Sequence, residues 1–343
     1  MKKLAIPTFI LSCLSAFQPI HGQEHGFDKL QFFNDTSVIT ATITANSRKL
    51  FGAGKKKGLS MPAAFAASIN GKNINDSVLL EVRGNFRRDY CNMPPLKINF
   101  KYDSSAALYT LKSVKLVSEC KPNIDFEQYL LKEFLVYKIY NLLTDKSLRV
   151  RLLRLNFKDN SARAKDIFEY AFLLEDIKDL AKRNHCTEWK RPRLRQESTN
   201  REQMTLLAIF EYMIGNTDWS VTGGHNTYQI GSKEDILAMP FAVPYDFDFS
   251  GLVSAPYAIP SEQLSIQNVQ QRLYRGYPRT IDEINKVLDV FKQQKENIYN
   301  LINKFDLLDK SGKKEMIYYL DEFYTTIGKP GDVIAVFINE ARK

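Results

Sequence analysis

The sequence predicts an α+β protein of two lobes: a strand-rich N-terminal lobe with one main helix, then a mostly helical C-terminal lobe. Three observations carry this. Alternating apolar and polar residues recur through the first half, one long stretch at helical spacing interrupts them over 125–143, and beyond residue 196 helical spacing dominates. The apolar fraction of 44%, with 17 Tyr and 22 Phe, is enough for a packed core and excludes a disordered chain.

The chain opens with Met1-Lys2-Lys3, an apolar stretch from Leu4 to Phe17, and Gln18-Pro19-Ile20-His21-Gly22. A basic start, a short apolar core and a small residue ahead of polar chain are the layout of a cleaved secretory signal over residues 1–22. The stretch is too short to span a ~30 Å hydrocarbon layer, and Pro7 disfavours an ordinary helix. Cleavage fits after Gly22 or after Ala16, and a lipid anchor at Cys13 fits poorly with the apolar residues beyond it. No later stretch is long and apolar enough to span a membrane. The expected destination is therefore the periplasm or the exterior.

Ser37 to Ile43 alternates as a strand, and Gly52 to Gly58 reads as a glycine- and lysine-rich loop. Val78 to Val82 and Leu96 to Phe100 are strands around a turn-rich segment holding Asn92 and Pro94-Pro95. Asp125 to Leu143 places Phe126, Tyr129, Leu130, Phe134, Tyr137 and Ile139 at helical spacing. Val150 to Phe157 and Phe168 to Leu174 complete an N-terminal lobe over 23–176. The C-terminal lobe, 177–343, begins in a charged stretch reaching Gln196. Thr199 with Glu202 predicts a capped helix running through Met213, and Gly215 a left-handed stop. Asn226 to Ile230 and Phe241 to Val243 read as short strands, Thr280 to Phe305 and Lys313 to Thr325 as helices.

The formal charge of +9 falls to +7 without Lys2 and Lys3. It suits an acidic or phosphorylated partner without selecting one. Export permits disulfides, and loss of the leader leaves Cys91, Cys120 and Cys186. A Cys91–Cys120 bridge with Cys186 free is the preferred pairing, against three unpaired thiols. Lys182-Arg183, Lys190-Arg191, Arg193 and Arg195 form a basic run suited to an acidic protein or envelope surface rather than nucleic acid. Three surviving histidines argue against a histidine-based zinc site. No GxSxG elbow and no EF-hand pattern occurs.

The chemistry concentrates in residues 216–251: Asn216-Thr217-Asp218-Trp219, His225-Asn226, and Pro244-Tyr245-Asp246-Phe247-Asp248-Phe249-Ser250-Gly251. Each polar residue alone is more simply a turn cap. Two acidic loops joined by a hairpin would gather Asp218, Asn226, Asp246 and Asp248, oxygen donors suited to Mg²⁺ or Mn²⁺.

The order of Arg83-Gly84-Asn85, Lys97, the Leu131 to Tyr140 helix, Asn216-Thr217-Asp218, Asn226 and Asp246-Phe247-Asp248 resembles the CotH-type atypical protein kinases of spore coats. The resemblance spans roughly residues 75–305 and implies a two-lobed protein-kinase-like fold. It implies that Lys97 contacts nucleotide phosphates, paired with Glu133, and that Asp218 orients or deprotonates the attacking hydroxyl. Asn226 and Asp246 would hold divalent ions, with Asp248 a further ligand. Arg83, with Arg87 and Arg88, lies near the implied phosphates, although a solvated basic turn is the simpler reading. ATP with Mg²⁺ or Mn²⁺ is the implied cofactor, and a protein hydroxyl the implied acceptor. The sequence departs from ordinary kinases in an eight-residue gap from Asp218 to Asn226, in lacking GxGxxG, and in Asp-Phe-Asp for Asp-Phe-Gly. ATP is scarce outside the cytoplasm, so a non-catalytic kinase-like envelope module is the alternative.

Overall fold

The computed structural model describes residues 29–52, 58–103, 107–121, 123–161, 164–189 and 194–342. The expected signal segment, most of the glycine- and lysine-rich loop and the centre of the basic run lie outside the described residues.

The first half is built from α1 (Lys29–Asn34), β1 (Ile39–Ala45), α2 (Ser47–Phe51), β2 (Ser60–Ile69), β3 (Lys72–Val82), α3 (Phe86–Tyr90), β4 (Leu96–Asn99) and β5 (Ser113–Ser118). The long α4 (Ile124–Leu143) follows, then β6 (Val150–Asp159) and β7 (Ile167–Leu174). The seven strands close into a barrel in the order β1-β2-β3-β4-β5-β7-β6. Every pairing is antiparallel except β1 with β6, which run parallel from Ile39 opposite Leu153 to Ala45 opposite Asp159.

This closure corrects the expected fold. The chain does not form a two-lobed kinase-like arrangement with one main helix in its strand-rich part: that part is a closed mixed barrel accompanied by α1, α2 and α3 as well as α4. Two physical reasons explain the difference. β2 begins Ser60-Met61-Pro62 and is rich in alanine, so it lacks the β-branched alternation that marks a strand. The pair that seals the barrel joins residues more than a hundred positions apart, which local periodicity does not encode. Closure leaves no free edge, and Ile43, Phe65, Val78, Leu80, Ile98 and Leu116 fill the interior.

The second half holds α5 (Ile177–Arg183), β8 (Cys186–Glu188), α6 (Arg201–Ile214), β9 (Thr227–Ser232), β10 (Phe241–Pro244), α7 (Ile281–Asn303), α8 (Lys310–Ile327) and α9 (Pro330–Ile334). β10, β9 and β8 form a three-stranded antiparallel sheet. A second apolar core unites these elements with α4, through residues such as Tyr140, Phe210, Phe291 and Phe323. Each such aromatic contributes on the order of 2 kcal/mol by leaving water.

The helix ends follow local chemistry. Asn123 caps α4 by accepting from Phe126 N at 3.0 Å. α6 starts one residue later than the sequence suggested: Asn200, not Thr199, accepts from Gln203 N at 3.0 Å, while the Thr199 hydroxyl donates to Gln196 O. Gly215 ends α6 at φ 67°, as expected of a left-handed stop. Cys91 and Cys120 are bridged and Cys186 is buried and free. No described helix is long and apolar enough to cross a membrane.

Candidate active site

Gly215 turns the chain out of α6 into the Asp218 loop, which is knotted to the segment before β9. Asn216 Oδ1 accepts from Asp218 N at 3.0 Å. Asn226 Nδ2 donates to the Asp218 carbonyl at 2.8 Å and to its Oδ2 at 3.0 Å, and His225 Nε2 lies 2.8 Å from Oδ1. Ser220 and His225 exchange backbone hydrogen bonds at 2.9 Å. The eight-residue gap is therefore a closed excursion whose two ends meet.

β9 and β10 carry the chain from Asn226 to Asp246, and Tyr245 N donates back to Asn226 O at 3.0 Å. Asn226 and Asp246 both adopt left-handed backbone, φ 51° and 68°. That conformation costs an L-residue roughly 1–2 kcal/mol, and Asn and Asp tolerate it best. Non-glycine residues held this way concentrate where geometry serves chemistry. Asp246 N donates to Tyr137 Oη on α4 at 2.8 Å. Phe247 turns into the core, edge-on to Tyr137 with ring centroids 4.7 Å apart, so Asp246 and Asp248 flank an apolar anchor.

Behind Asp246 lies a buried ionic group. Asp248 Oδ2 accepts from Tyr257 Oη at 3.0 Å and sits 3.8 Å from Arg87, which also lies 3.7 Å from Glu133. One guanidinium thus faces two carboxyls. Burial, then the charge of Asp246, pushes Asp248 up to about 7. Burial, then Asp248, pushes Glu133 well above the usual carboxylate range. Glu133 Oε1 finds no hydrogen-bond partner among the described residues.

The cationic wall differs from expectation. Lys97 pairs with Glu81 at 3.3 Å on the outer barrel surface and not with Glu133, because Glu81 is its direct neighbour across β3 and β4. The next residue in that cross-strand row is Lys115 on β5, opposite Lys97, and it reaches the site. Its ammonium donates to Tyr228 Oη and lies 4.5 Å from the ring centre of Tyr245, which stacks on Tyr228. Burial, then Arg83, lowers Lys115 to about 8, while Asp246 opposes the shift. Arg83 leaves β3 with Nε donating to Leu96 O at 3.1 Å, lies in the field of Asp246, and is lowered chiefly by burial.

Sequence reasoning missed Lys115 and underrated Arg87. Both had a signal. Lys115 is a lone charge inside the apolar run Ser113-Val114-Lys115-Leu116-Val117 that leads into α4, and Arg87 lies four residues before Cys91. The disulfide ties that turn to the Glu119-Cys120 segment, where Arg87 donates to Ser118 O. Of the distal basic run, Arg183 is internal, forked onto Glu175 and donating to Asp145 O.

The structure thus brings together Arg83, Lys115, Asp246, Asp248 and Glu133 on one side, with Asp218, His225 and Asn226 joined to them through Tyr245. Lys97 stands outside. Among the described residues no group of three or more His, Cys, Asp or Glu forms a ready metal cluster; a cation here would use the Asn226 amide oxygen beside carboxylates. No protein-family model matches the chain, and no curated protein matches it.

Proposed function

We propose that the chain is an exported phosphotransferase that takes a nucleotide with Mg²⁺ or Mn²⁺ and phosphorylates a protein hydroxyl. The observation that carries the reading is Lys115: a half-buried ammonium in the field of Asp246 and Arg83, on the strand leading into the helix that bears Glu133. The resemblance to CotH-type kinases supports the same chemistry, with Lys115 taking the phosphate-contacting part first assigned to Lys97. The Cys91–Cys120 bridge supports an oxidising compartment.

The donor chemistry fits a hard divalent cation. Asn226 spends its amide hydrogens on Asp218, which leaves Oδ1 as its ligating end, and Asp246 offers a carboxylate. Asp248 is held by Tyr257 and Arg87 and supports from behind. The cation, when bound, neutralises charge on the transferring phosphoryl group. Lys115 and Arg83 bind phosphate oxygens. Asp218 accepts the hydrogen bond of the attacking hydroxyl and takes its proton as the new O–P bond forms and the bond to the nucleoside diphosphate breaks. His225 and Asn226 hold the Asp218 carboxylate in place.

One observation favours a non-catalytic nucleotide-binding module instead: both Asp218 oxygens already accept side-chain partners. Transfer to a mixed-protein substrate, followed by phosphopeptide mass spectrometry, separates the two. The phosphotransferase reading expects labelling that falls ~10³-fold in Asp218→Asn with Mg-nucleotide binding retained. Binding without labelling by the wild type overturns the catalytic part.

A further inference from the structure

The Asp218 loop has a second support that none of its own residues supplies. Arg275, on the segment leading to α7, donates from Nη1 to the backbone carbonyls of both Thr217 and Trp219, the latter at 2.9 Å. One nitrogen therefore grips the residues immediately before and after Asp218. The guanidinium also lies 5.5 Å from the Trp219 ring, and Trp219 is buried. Its own segment is pinned on either side, by Gln196 Nε2 donating to Arg275 O at 3.4 Å and Arg342 N donating to Gly276 O at 2.9 Å.

Glu211, in the last turn of α6, is buried beneath this loop. Its backbone carbonyl accepts from Asn216 N at 2.8 Å, and its carboxyl group lies within the electrostatic reach of Arg275. Both Glu211 oxygens and Arg275 Nε lack a close hydrogen-bond partner among the described residues; burial pushes the Glu211 carboxyl up to about 8, against the Asn216 side chain and the charge of Arg275. A guanidinium enclosed this way is costly to keep unless it fixes something. What it fixes is the path of three residues centred on Asp218.

We propose that Arg275 is a positioning residue for Asp218, clamping the carbonyls on either side of it, beside the buried Glu211 carboxyl. The catalytic consequence rests on the reading of Asp218 as the carboxylate that meets the hydroxyl; the clamp itself does not.

The experiment compares wild type, Arg275→Gln, Arg275→Lys and Asp218→Asn by the imidazole ¹⁵N signals of His225, which report its contact with Asp218, and by transfer kinetics with Mg-ATP. Arg275→Gln is expected to move the His225 signals toward those of Asp218→Asn. Its kcat should fall ~100-fold, as for a displaced catalytic group, with nucleotide Kd within about twofold of wild type, and Arg275→Lys should recover part of both. Should Arg275→Gln lack a cooperative melt, Arg275→Lys decides by the same signals. Folded Arg275 variants with wild-type His225 signals overturn the clamp. If no variant and not the wild type transfers phosphate, the kinase reading fails while the His225 signals still decide the clamp.

Discussion

Asp76 in the barrel and Glu133 beside the candidate site are both buried carboxyls, and the chain treats them in opposite ways. Asp76 accepts backbone N–H groups from Ala107 and Leu108, each at 2.8 Å, one on each oxygen. Its partners are fixed donors aimed by the fold. Glu133 and Asp248 share one guanidinium at 3.7 and 3.8 Å, beyond hydrogen-bond length, and Glu133 Oε1 has no partner among the described residues. The barrel carboxyl is a closed structural joint. Glu133 is left under-coordinated and burial raises both site carboxyls, and such perturbed groups gather where chemistry is done.

Removing partners tests that contrast. Arg87→Met strands two buried carboxyls and should cost about 3 kcal/mol near pH 8, read by urea denaturation. The loss should shrink at pH 5, where Asp248, raised to about 7, holds its proton. An equal cost at both pH values would show that Arg87 contributes by packing and not by charge. Asp76→Ala leaves two buried N–H groups open and should cost about 2 kcal/mol, with nucleotide affinity untouched. A loss of affinity in that variant would erase the distinction between the two regions.

A third effect is a matter of pH. Asp248 is raised in the folded protein to about 7 from an ordinary carboxylate value. The folded state then holds its proton more tightly than the unfolded chain. Stability from this group is fully present below about pH 4 and is lost as pH rises to about 7. Asp248→Asn removes the titration while keeping an acceptor for Tyr257. Denaturation midpoints for wild type and variant should therefore diverge in the variant's favour between pH 4 and 7, and stay parallel above. Parallel curves throughout would place the proton elsewhere in the cluster.

Much of the secondary structure was legible. The apolar spacing marked α4 to within a residue, Gly215 marked the end of α6, and the expectation of export pointed to the Cys91–Cys120 pairing. The fold class was not legible. Polar Lys72 to Asp76 hid the first half of β3, alanines hid β2, and the parallel β1–β6 pair is written only in three dimensions. The site was half legible. Asp218, Asn226, Asp246 and Asp248 announce themselves as short acidic motifs. Lys97 and Lys115 sit on the same outer face of neighbouring strands, and choosing between them needs the Glu81–Lys97–Lys115 row that only the register supplies.

Lys115 and Asp246 are proposed as the two sides of one Mg-nucleotide site. Titration calorimetry of Mg-ATP against wild type, Lys115→Met and Asp246→Asn tests it directly. Saturable binding to the wild type is expected, weakened at least tenfold in each variant, with Lys97→Met unchanged. Absence of binding to the wild type, or affinity in Lys115→Met and Asp246→Asn equal to wild type, would contradict it.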